Sequence, residues 1–311
     1  FGNAGDTTIN VLRHAGFWTH SLLVLIFLNI LPYSKHFHVV TALPNVFFQE
    51  LGPVGRLKPI DNIEEAETFG VGDARDFSWK AVMNFYTCTE CGRCTDNCPA
   101  WSTGKLLSPK QFTLDARDNL YERQNDIIGY QEPGVHMDTT PKGWIPWNEQ
   151  NPEGEEVKAP ATELVPDVID PEVIWACTTC RACEDACPVF ITYVEKIVDV
   201  RRNLVLEKGE VPGELANALR GVENNANPWN LASMDRSAWA EGLDVPRIAD
   251  TPDAEVLLWV GCAPSYDDRA KKIAVAMVKL MREADVKFAI MGDEEKCCGD
   301  VARRSGNEYL F

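Results

Sequence analysis

The sequence predicts a mainly α-helical protein with a membrane-spanning helix near its start and an α/β fold at its end. Three observations predict this fold class. Residues 17–31 are strongly apolar and carry no formal charge. Two identical cysteine motifs lie in segments of helical character, within 76–124 and after Glu172. Near the end of the chain, two short apolar runs flank a helical segment, which is the pattern of a βαβ unit.

The apolar segment at 17–31 reaches, with its flanks from Val11 to His38, the ~20 residues that a bilayer span needs. A buried core helix and a cleaved signal peptide are the alternatives. Pro32 is expected to kink the span, which membrane helices tolerate. Three basic residues follow the span and one precedes it, so the positive-inside rule places the following domains on the cytoplasmic side of the inner membrane. These basic residues are Lys35, Arg56 and Lys58 after the span and Arg13 before it.

The 311 residues allow about two domains at ~150 residues each. We expect a transmembrane segment over 1–45, an interfacial linker over 46–75, a helical cysteine-motif domain over 76–215, a linker over 216–250 and a partial α/β domain over 251–311. The helical domain is expected to contain an insertion over 125–170, which is rich in Pro and Gly. Phe47, Phe48 and Leu51 are expected at the lipid boundary. The chain starts without Met and stops soon after a cysteine pair, so we expect it to be a fragment.

Composition excludes some functions. The formal net charge is −17, and this argues against a nucleic-acid partner, because a phosphate backbone requires a basic face. The chain has 11 cysteines, and eight of them form two tight clusters. Such clustering in a chain of this length favours metal binding in a reducing compartment over a disulfide framework.

Each of the two cysteine motifs has the C-x2-C-x2-C-x3-C-P spacing of bacterial ferredoxins, which bind [4Fe–4S] clusters. In that spacing three thiolates bind one cluster, and the fourth binds the other cluster. We therefore expect cluster 1 to be bound by Cys88, Cys91, Cys94 and Cys187. We expect cluster 2 to be bound by Cys98, Cys177, Cys180 and Cys183. A zinc site is the alternative, but zinc commonly uses two separated CxxC pairs around one ion.

The wide separation of the two motifs and the helices beside them resemble the helical ferredoxin module of succinate dehydrogenase and heterodisulfide reductase subunits. This resemblance implies an α-helical ferredoxin fold around two [4Fe–4S] clusters that lie close enough for electrons to pass between them.

Two histidines of the apolar segment are candidate haem ligands. His20 and His38 are 18 residues apart, which is five helical turns, so both would face the same side of a continuous helix. Polar residues within a span are costly and usually functional. Each histidine could therefore bind a separate b-type haem, with its second ligand from transmembrane helices of this or another subunit. A hydrogen bond or quinone contact at His20, a headgroup contact at His38, and ligation by His36 or His14 remain open.

The segment THSLLVLIFLNILPYSKHFH also resembles the last haem-binding helix of the respiratory nitrate reductase gamma subunit. There, two histidines at this spacing flank a motif that corresponds to Pro32-Tyr33-Ser34-Lys35 here. The resemblance implies haem b in the membrane segment.

The predicted α/β region contains a third cysteine group. Residues 256–261 and 286–291 are expected to be strands, and residues 267–284 a helix between them. The apolar side of this helix is predicted to consist of Ile273, Met277, Leu280 and Met281. Cys262 lies at the tip of the first strand, and Cys297-Cys298-Gly299 follows 35 residues later.

This spacing resembles the start of the cysteine-rich CCG domain of heterodisulfide reductases, whose pattern continues with a further CxxC. The resemblance implies that Cys262, Cys297 and Cys298 help to bind a third iron–sulfur cluster. Ordinary buried thiols and a redox-active thiol are the alternatives.

Taken along its length, the chain resembles membrane-anchored iron–sulfur reductases, including the D-type subunit of heterodisulfide reductases and the quinone oxidoreductases that serve electron-transfer flavoprotein. The supporting stretches are VMNFYTCTECGRCTDNCPAW, IWACTTCRACEDACPV and KCCGDVARRSGNEYLF. The resemblance implies single-electron transfer between a cytoplasmic redox protein, such as electron-transfer flavoprotein, and membrane quinone. The rivals are a heterodisulfide or thiol reductase, the iron–sulfur subunit of a hydroxy-acid dehydrogenase, and a non-catalytic wiring subunit of a respiratory or photosynthetic complex.

Overall fold

The computed structural model describes residues 5–53, 55–123 and 163–311. The expected insertion over 125–170 therefore lies mostly outside the described residues. The chain divides into two compact units. The first unit consists of Phe1–Leu57 with Val71–Ile197, and the second of Lys58–Gly70 with Val198–Phe311. The described residues are mainly helical, as the sequence predicts.

The first unit begins with helix α1, Asp6–Ile30. The stretch Asp6–Tyr33 is long and apolar enough to cross a membrane by length and composition, with a mean hydropathy of 1.6 over its most apolar window, of which 6% is buried. This low burial is what a lipid-facing helix requires, since a core helix of a globular domain would cover its apolar side chains with protein. The predicted span is thus present as a helix.

The helix does not continue to His38, which corrects the expectation of one continuous helix through both histidines. α1 ends at Ile30, and two short 3-10 turns, Leu31–Tyr33 and Lys35–Phe37, precede helix α2, His38–Phe47. Pro32 lacks the N–H that a continuing helix needs, and Ser34 between the turns is extended. The five-turn relation between His20 and His38 therefore does not hold across this break.

Hydrogen bonds of the Asn45 side chain hold helix α2 against the rest of the first unit, and Asn45 is 0% exposed. Its side-chain amide donates to the carbonyl oxygen of Val189 at 2.8 Å. Its side-chain oxygen accepts from Asn84 at 2.8 Å and from the Lys80 ammonium at 2.5 Å. Because buried polar groups require partners, these bonds fix the position of α2 on the helix that carries Lys80 and Asn84.

The remaining helices of the first unit surround the cysteine motifs. They are α3 (Trp79–Thr87), α4 (Arg93–Asp96), α5 (Pro99–Ser102), α6 (Pro109–Glu122), α7 (Pro171–Trp175), α8 (Ala182–Asp185) and the start of α9 (Val194–Arg202). From Val198 onward α9 belongs to the second unit, where it continues as a π-helical turn over Asn203–Glu207. Ser78 and Ser108 cap α3 and α6 through their hydroxyls. The core between α3 and α6 contains Phe85 and Phe112, which are 0% and 1% exposed and pack edge to face.

The second unit contains the predicted βαβ unit in a shorter form. Its elements are α10 (Gly213–Asn225), β1 (Val256–Leu257), α11 (Cys262–Tyr266), α12 (Asp268–Glu283), β2 (Phe288–Ala289) and α13 (Asp300–Ser305). Strands β1 and β2 are parallel, with Val256 opposite Phe288 and Leu257 opposite Ala289. Each strand has two residues rather than the six that the apolar runs predict.

The buried face of α12 also differs from the prediction. Ala274 and Val278 are 7% and 0% exposed and pack with Trp239, Phe288 and Ile290. The predicted Ile273, Met277 and Leu280 are 62%, 43% and 65% exposed, while Met281 packs partly against this core. The small Ala274 lies one turn before Val278 on the same face, which allows the helix to approach the sheet closely. The prediction of the buried face was wrong because it chose the larger apolar side chains, whereas the small Ala274 lies on the buried face.

Candidate functional site

The first unit contains two cavities that are lined by cysteines. The cysteines that line cavity 1 are Cys88, Cys91, Cys94 and Cys187. The cysteines that line cavity 2 are Cys98, Cys177, Cys180 and Cys183. The structure thus groups the eight thiols in the two crossed sets of four that the motif spacing predicts. Binding of iron by these sets remains a prediction.

The spacing of the thiols bears on the kind of metal. All eleven cysteines fall within the described residues and are free thiols. Across the part of the chain that the structure describes, no three His, Cys, Asp or Glu side chains converge on a position for one metal ion. Two complete C-x2-C-x2-C-x3-C motifs fit iron–sulfur clusters better than zinc, which commonly uses two separated CxxC pairs around one ion.

The two cysteine loops share one backbone pattern. In the first loop, the residues two and four positions after Cys88 are Glu90 and Gly92, with φ values of 56° and 82°. In the second loop, the equivalent residues are Thr179 and Arg181, with φ values of 57° and 63°. Left-handed residues at these places turn the chain around the cavity before α4 and α8 begin. Gly92 adopts this conformation without strain, whereas Arg181 is held by an ion pair with Glu184 at 2.9 Å.

The surroundings of the thiols fit an iron–sulfur cluster. Apart from the cysteines, the cavity walls are mainly apolar, with Val189 and Ile191 in cavity 1 and Val194 and Ile197 in cavity 2. Arg181 lines cavity 2, and its Nη2 is buried without a hydrogen-bond partner in the described structure. A buried guanidinium N–H needs an acceptor, and the sulfur atoms of a cluster would supply one.

Burial controls the protonation of the thiols. It raises the pKa of Cys88 to about 11. It also raises the pKa of Cys183 well above its usual range. Thiols in these places stay protonated at neutral pH unless a metal displaces the proton. Backbone N–H groups of Thr179 and Ile191 donate to the sulfur atoms of Cys177 and Cys187, both at 3.4 Å. The cavities therefore suit thiolates that are bound to metal.

Sequence reasoning missed Tyr193, which lines both cavities and is 1% exposed. Its hydroxyl lies beside the Cys94 thiol, and burial raises the pKa of Tyr193 strongly. Tyr193 immediately precedes α9 and follows the second motif by six residues. No periodicity marks it, because its role depends on the fold that brings the two motifs together.

The third cysteine group lies in the second unit. Cys262 is the first residue of α11 and lies beside the side chain of Cys297, and burial raises the pKa of Cys262 to about 11. Cys298 is exposed. The structure therefore brings Cys262 and Cys297 together, as a shared site requires, while ligation by all three cysteines stays a prediction.

A buried arginine next to Cys262 was also missed. Arg236 is 2% exposed, and its guanidinium donates to the Cys262 sulfur at 3.3 Å and to the Ala226 carbonyl oxygen at 3.0 Å. It also forms an ion pair with Glu295 at 2.9 Å. The backbone N–H of Cys297 donates to the same Ala226 oxygen at 2.9 Å. Arg236 thus connects the segments that carry Cys262 and Cys297. Sequence reasoning did not find this contact, because Arg236 lies 26 residues before Cys262 in the chain.

The candidate haem ligands are less organised. His14 and His20 are exposed on α1, where no residue is buried. His36 is exposed and His38 is half-buried, and their ring centroids are 6.2 Å apart. His20 and His38 lie on different helices, so haem ligation by either one rests on the sequence resemblance alone.

Comparison with known proteins agrees with this site. Residues 87–191 match the family model of the 4Fe-4S dicluster domain, and residues 256–311 match that of the Cysteine-rich domain, called CCG. The first match covers all eight motif cysteines, and the second covers Cys262, Cys297 and Cys298. The chain therefore contains a 4Fe-4S dicluster domain and a Cysteine-rich domain, and these domains support iron–sulfur clusters as its cofactors.

Three relatives show which kinds of iron–sulfur protein the chain resembles. The chain is 38% identical to the EtfAB:quinone oxidoreductase of Syntrophomonas wolfei over 100% of this chain and 43% of that protein. It is 37% identical to a membrane-anchored ferredoxin of Chromohalobacter salexigens over 86% of this chain and 39% of that protein. It is 27% identical to the D-type subunit of the CoB–CoM heterodisulfide reductase of Methanosarcina barkeri over 76% of this chain and 51% of that protein.

The chain is thus a relative of the iron–sulfur oxidoreductases, and the predicted resemblance to heterodisulfide reductases and to electron-transfer-flavoprotein:quinone oxidoreductases is confirmed. It spans about half the length of these relatives or less. No solved structure matches it significantly.

Proposed function

We propose that the chain is the electron-carrying part of a membrane-bound iron–sulfur oxidoreductase, which relays single electrons between a cytoplasmic donor and the quinone pool. The observation that supports this most is the pair of four-thiol cavities with one residue, Tyr193, in the wall of both. Two cofactor sites that share a wall side chain are close enough for an electron to pass between them. Relay between fixed sites needs no general acid or nucleophile from the protein.

The residues of the first unit would bind and shield the cofactors. In this proposal, the four thiols of cavity 1 bind cluster 1, and the four thiols of cavity 2 bind cluster 2. A bound [4Fe–4S] cluster supplies reversible one-electron transfer. The chain's own part is to supply thiolates, to exclude water with its apolar walls, and to donate backbone N–H groups to sulfur, which tunes the reduction potential.

Cavity 1 is the one that we place toward the membrane. Asn45 of α2 donates to the carbonyl oxygen of Val189, and Val189 lines cavity 1. The hydroxyl of Thr41, also on α2, donates to the carbonyl oxygen of Tyr86 at 3.2 Å, two residues before Cys88. Since α2 follows the candidate span α1 closely in the chain, electrons would pass between cluster 1 and the membrane, and cluster 2 would exchange electrons with the donor side.

The remaining parts of the proposal come from the relatives and the sequence. The printed name of one relative, EtfAB:quinone oxidoreductase, supports electron-transfer flavoprotein as donor and quinone as acceptor. We propose that α1 anchors the chain in the inner membrane with the iron–sulfur domains on the cytoplasmic side. His20 and His38 would each bind a b-type haem together with a ligand from another transmembrane helix. Cys262, Cys297 and Cys298 would contribute to a third iron–sulfur site.

A second candidate function is reduction of a disulfide substrate at the third site. The contact between Cys262 and Cys297 and the similarity to a heterodisulfide reductase favour it. The two functions predict different substrates. Turnover with a small heterodisulfide but not with a quinone analogue would support the second.

The test is cofactor counting followed by turnover with the protein purified from membranes in detergent. We expect about eight irons and about eight sulfides for the two clusters, with further iron if the third site or haem is occupied. Electron paramagnetic resonance of the reduced protein should show two interacting clusters, and a quinone analogue should reoxidise them. Zinc in place of iron, or reduced clusters that no quinone analogue reoxidises, would contradict the proposal.

Substitution of one cysteine from each cavity sharpens the assignment. Cys187→Ser should remove cluster 1 and leave cluster 2, although Cys187 belongs to the second motif. Cys98→Ser should do the reverse. If each variant loses the cluster of its own motif instead, the crossed assignment is wrong.

A further inference from the structure

Tyr193 occupies the wall between the two cysteine cavities. Among the described residues that line the cavities, it is the one that both share. At 1% exposed it is also among the largest fully buried side chains. A buried tyrosine hydroxyl requires a hydrogen-bond partner, so the direction of this hydroxyl shows which cofactor the residue acts on.

The backbone of Tyr193 is held from the side of cavity 2. The N–H groups of Tyr193 and Val194 donate to Oε1 of Glu184 at 2.7 and 2.8 Å. Glu184 directly follows Cys183, and its other carboxylate oxygen pairs with Arg181, which lines cavity 2. One carboxylate therefore fixes the backbone of Tyr193 to the second cysteine loop.

The hydroxyl of Tyr193 points to cavity 1. It lies beside the Cys94 thiol, and the thiols of Cys88 and Cys187 also raise its pKa. These are three of the four thiols of cavity 1. With an ordinary pKa near 10, a tyrosine hydroxyl is protonated at neutral pH and donates to a metal-bound thiolate. Its backbone and its hydroxyl thus contact different cluster sites.

We propose that Tyr193 is a positioning residue that raises the reduction potential of cluster 1 by donating a hydrogen bond to the Cys94 sulfur. This inference rests on the proposed function, because it requires a cluster in each cavity. A donor at a ligand sulfur stabilises the extra negative charge of the reduced cluster and so makes the cluster a better electron acceptor. Because the hydroxyl serves cavity 1 alone, it favours electron transfer from cluster 2 to cluster 1, toward α2.

The test is a redox titration of the full chain in detergent, monitored by electron paramagnetic resonance. Tyr193→Phe removes the hydroxyl and keeps the ring. We expect one of the two midpoint potentials to fall, with reduction about tenfold less favourable, which is about 59 mV for one electron. The other midpoint should stay within error. Tyr121→Phe is the matched control, since Tyr121 is 40% exposed and lines neither described cavity.

Two unchanged midpoints, or equal shifts of both, would overturn the proposal. Tyr193→Met is a second variant that lacks the hydroxyl and fills the space with a flexible side chain, and the same selective fall is expected. If both variants lose iron while Tyr121→Phe retains it, Tyr193 is structural and the proposal fails. Unaltered protein with far fewer than about eight irons would instead contradict the proposed function.

Discussion

At the scale of single residues, the buried pair of Arg236 and Glu295 organises the third cysteine group. Their side chains are 3% and 1% exposed. Glu295 accepts hydrogen bonds from the N–H groups of Val260 and Gly261 at 3.0 and 2.7 Å, directly before Cys262. The pair therefore sets the backbone on which Cys262 is presented. The pair stabilises this backbone only while both partners are present, because removal of one leaves the other charge buried without a counter-charge.

We predict that Arg236→Gln destabilises this region by about 3–5 kcal/mol, because Glu295 then lacks its charged partner. The measurement is hydrogen exchange of the peptides that contain Val260 and Gly261, which should exchange much faster. Glu295→Gln in addition should recover part of the loss, because an amide oxygen can still accept from one N–H without carrying a charge.

The control for this prediction is the exposed pair of Arg247 and Asp293, which are 48% and 40% exposed and 3.3 Å apart. Arg247→Gln should cost at most about 1 kcal/mol, since surface ion pairs contribute little. Equal effects of Arg236→Gln and Arg247→Gln would show that burial of the Arg236 pair has no special role.

Sequence spacing was sufficient for the ligand candidates and insufficient for the residues that support them. A ferredoxin motif predicts which thiols share a cavity because ligand geometry constrains the local sequence. Tyr193 and Arg236 reach their sulfur partners, Cys94 and Cys262, across 99 and 26 residues. Such contacts are set by tertiary packing, which a single sequence does not encode in any local pattern.

At the scale of elements, α2 joins the candidate membrane helix to cavity 1. Its Asn45 contacts Val189 in the cavity wall, and its Lys80 and Asn84 partners lie on α3, which ends directly before Cys88. A change in α2 should therefore affect cluster 1 more than cluster 2.

We predict that Asn45→Ala speeds the loss of cluster 1. The substitution leaves the partly buried Val189 oxygen without this donor and removes the acceptor of the buried Asn84 amide, at a cost of about 1–3 kcal/mol. If this opens the wall of cavity 1, the absorbance of the oxidised cluster should bleach about 5- to 100-fold faster in air. The measurement is the bleaching half-life together with the spectrum of the cluster that remains.

Asn29→Ala supplies the comparison for this variant. Asn29 is exposed on α1, and its amide donates to the Leu25 carbonyl oxygen within the same helix. Its replacement should leave the bleaching half-life unchanged. Bleaching that is equally slow in both variants would mean that α2 does not support the wall of cavity 1.

Periodicity predicted the elements better than their ends and faces. The length of the apolar segment predicted α1, but the helix ends at Ile30, because Pro32 lacks a backbone N–H donor. For α12, apolar spacing gave the helix, yet the packed face contains Ala274 and Val278 rather than Ile273 and Leu280. A short strand pair accepts a helix with small contact residues, and only the packed structure shows which side chains those are.

At the scale of the whole molecule, the two units depend on different sources of stability. The second unit has an apolar core that includes Trp239, Val278 and Phe288. In the first unit, the cysteine loops surround two cavities, beside an apolar core that includes Phe85 and Phe112. If clusters fill these cavities, their binding free energy contributes to folding there and not in the core of the second unit.

We therefore predict that removal of iron loosens one unit selectively. After treatment with a chelator under reducing conditions, hydrogen exchange should rise at least about tenfold, or ~1.4 kcal/mol, in peptides of 88–98 and 177–193. Peptides of 274–290 should keep their protection, because their core contains no metal ligand, and this makes them an internal control. Restoring iron and sulfide should restore the slow exchange, which excludes irreversible unfolding as the cause. Equal loss of protection in both sets would show that the clusters stabilise the chain as one body, and no change in either set would mean that the cavities are preformed without metal.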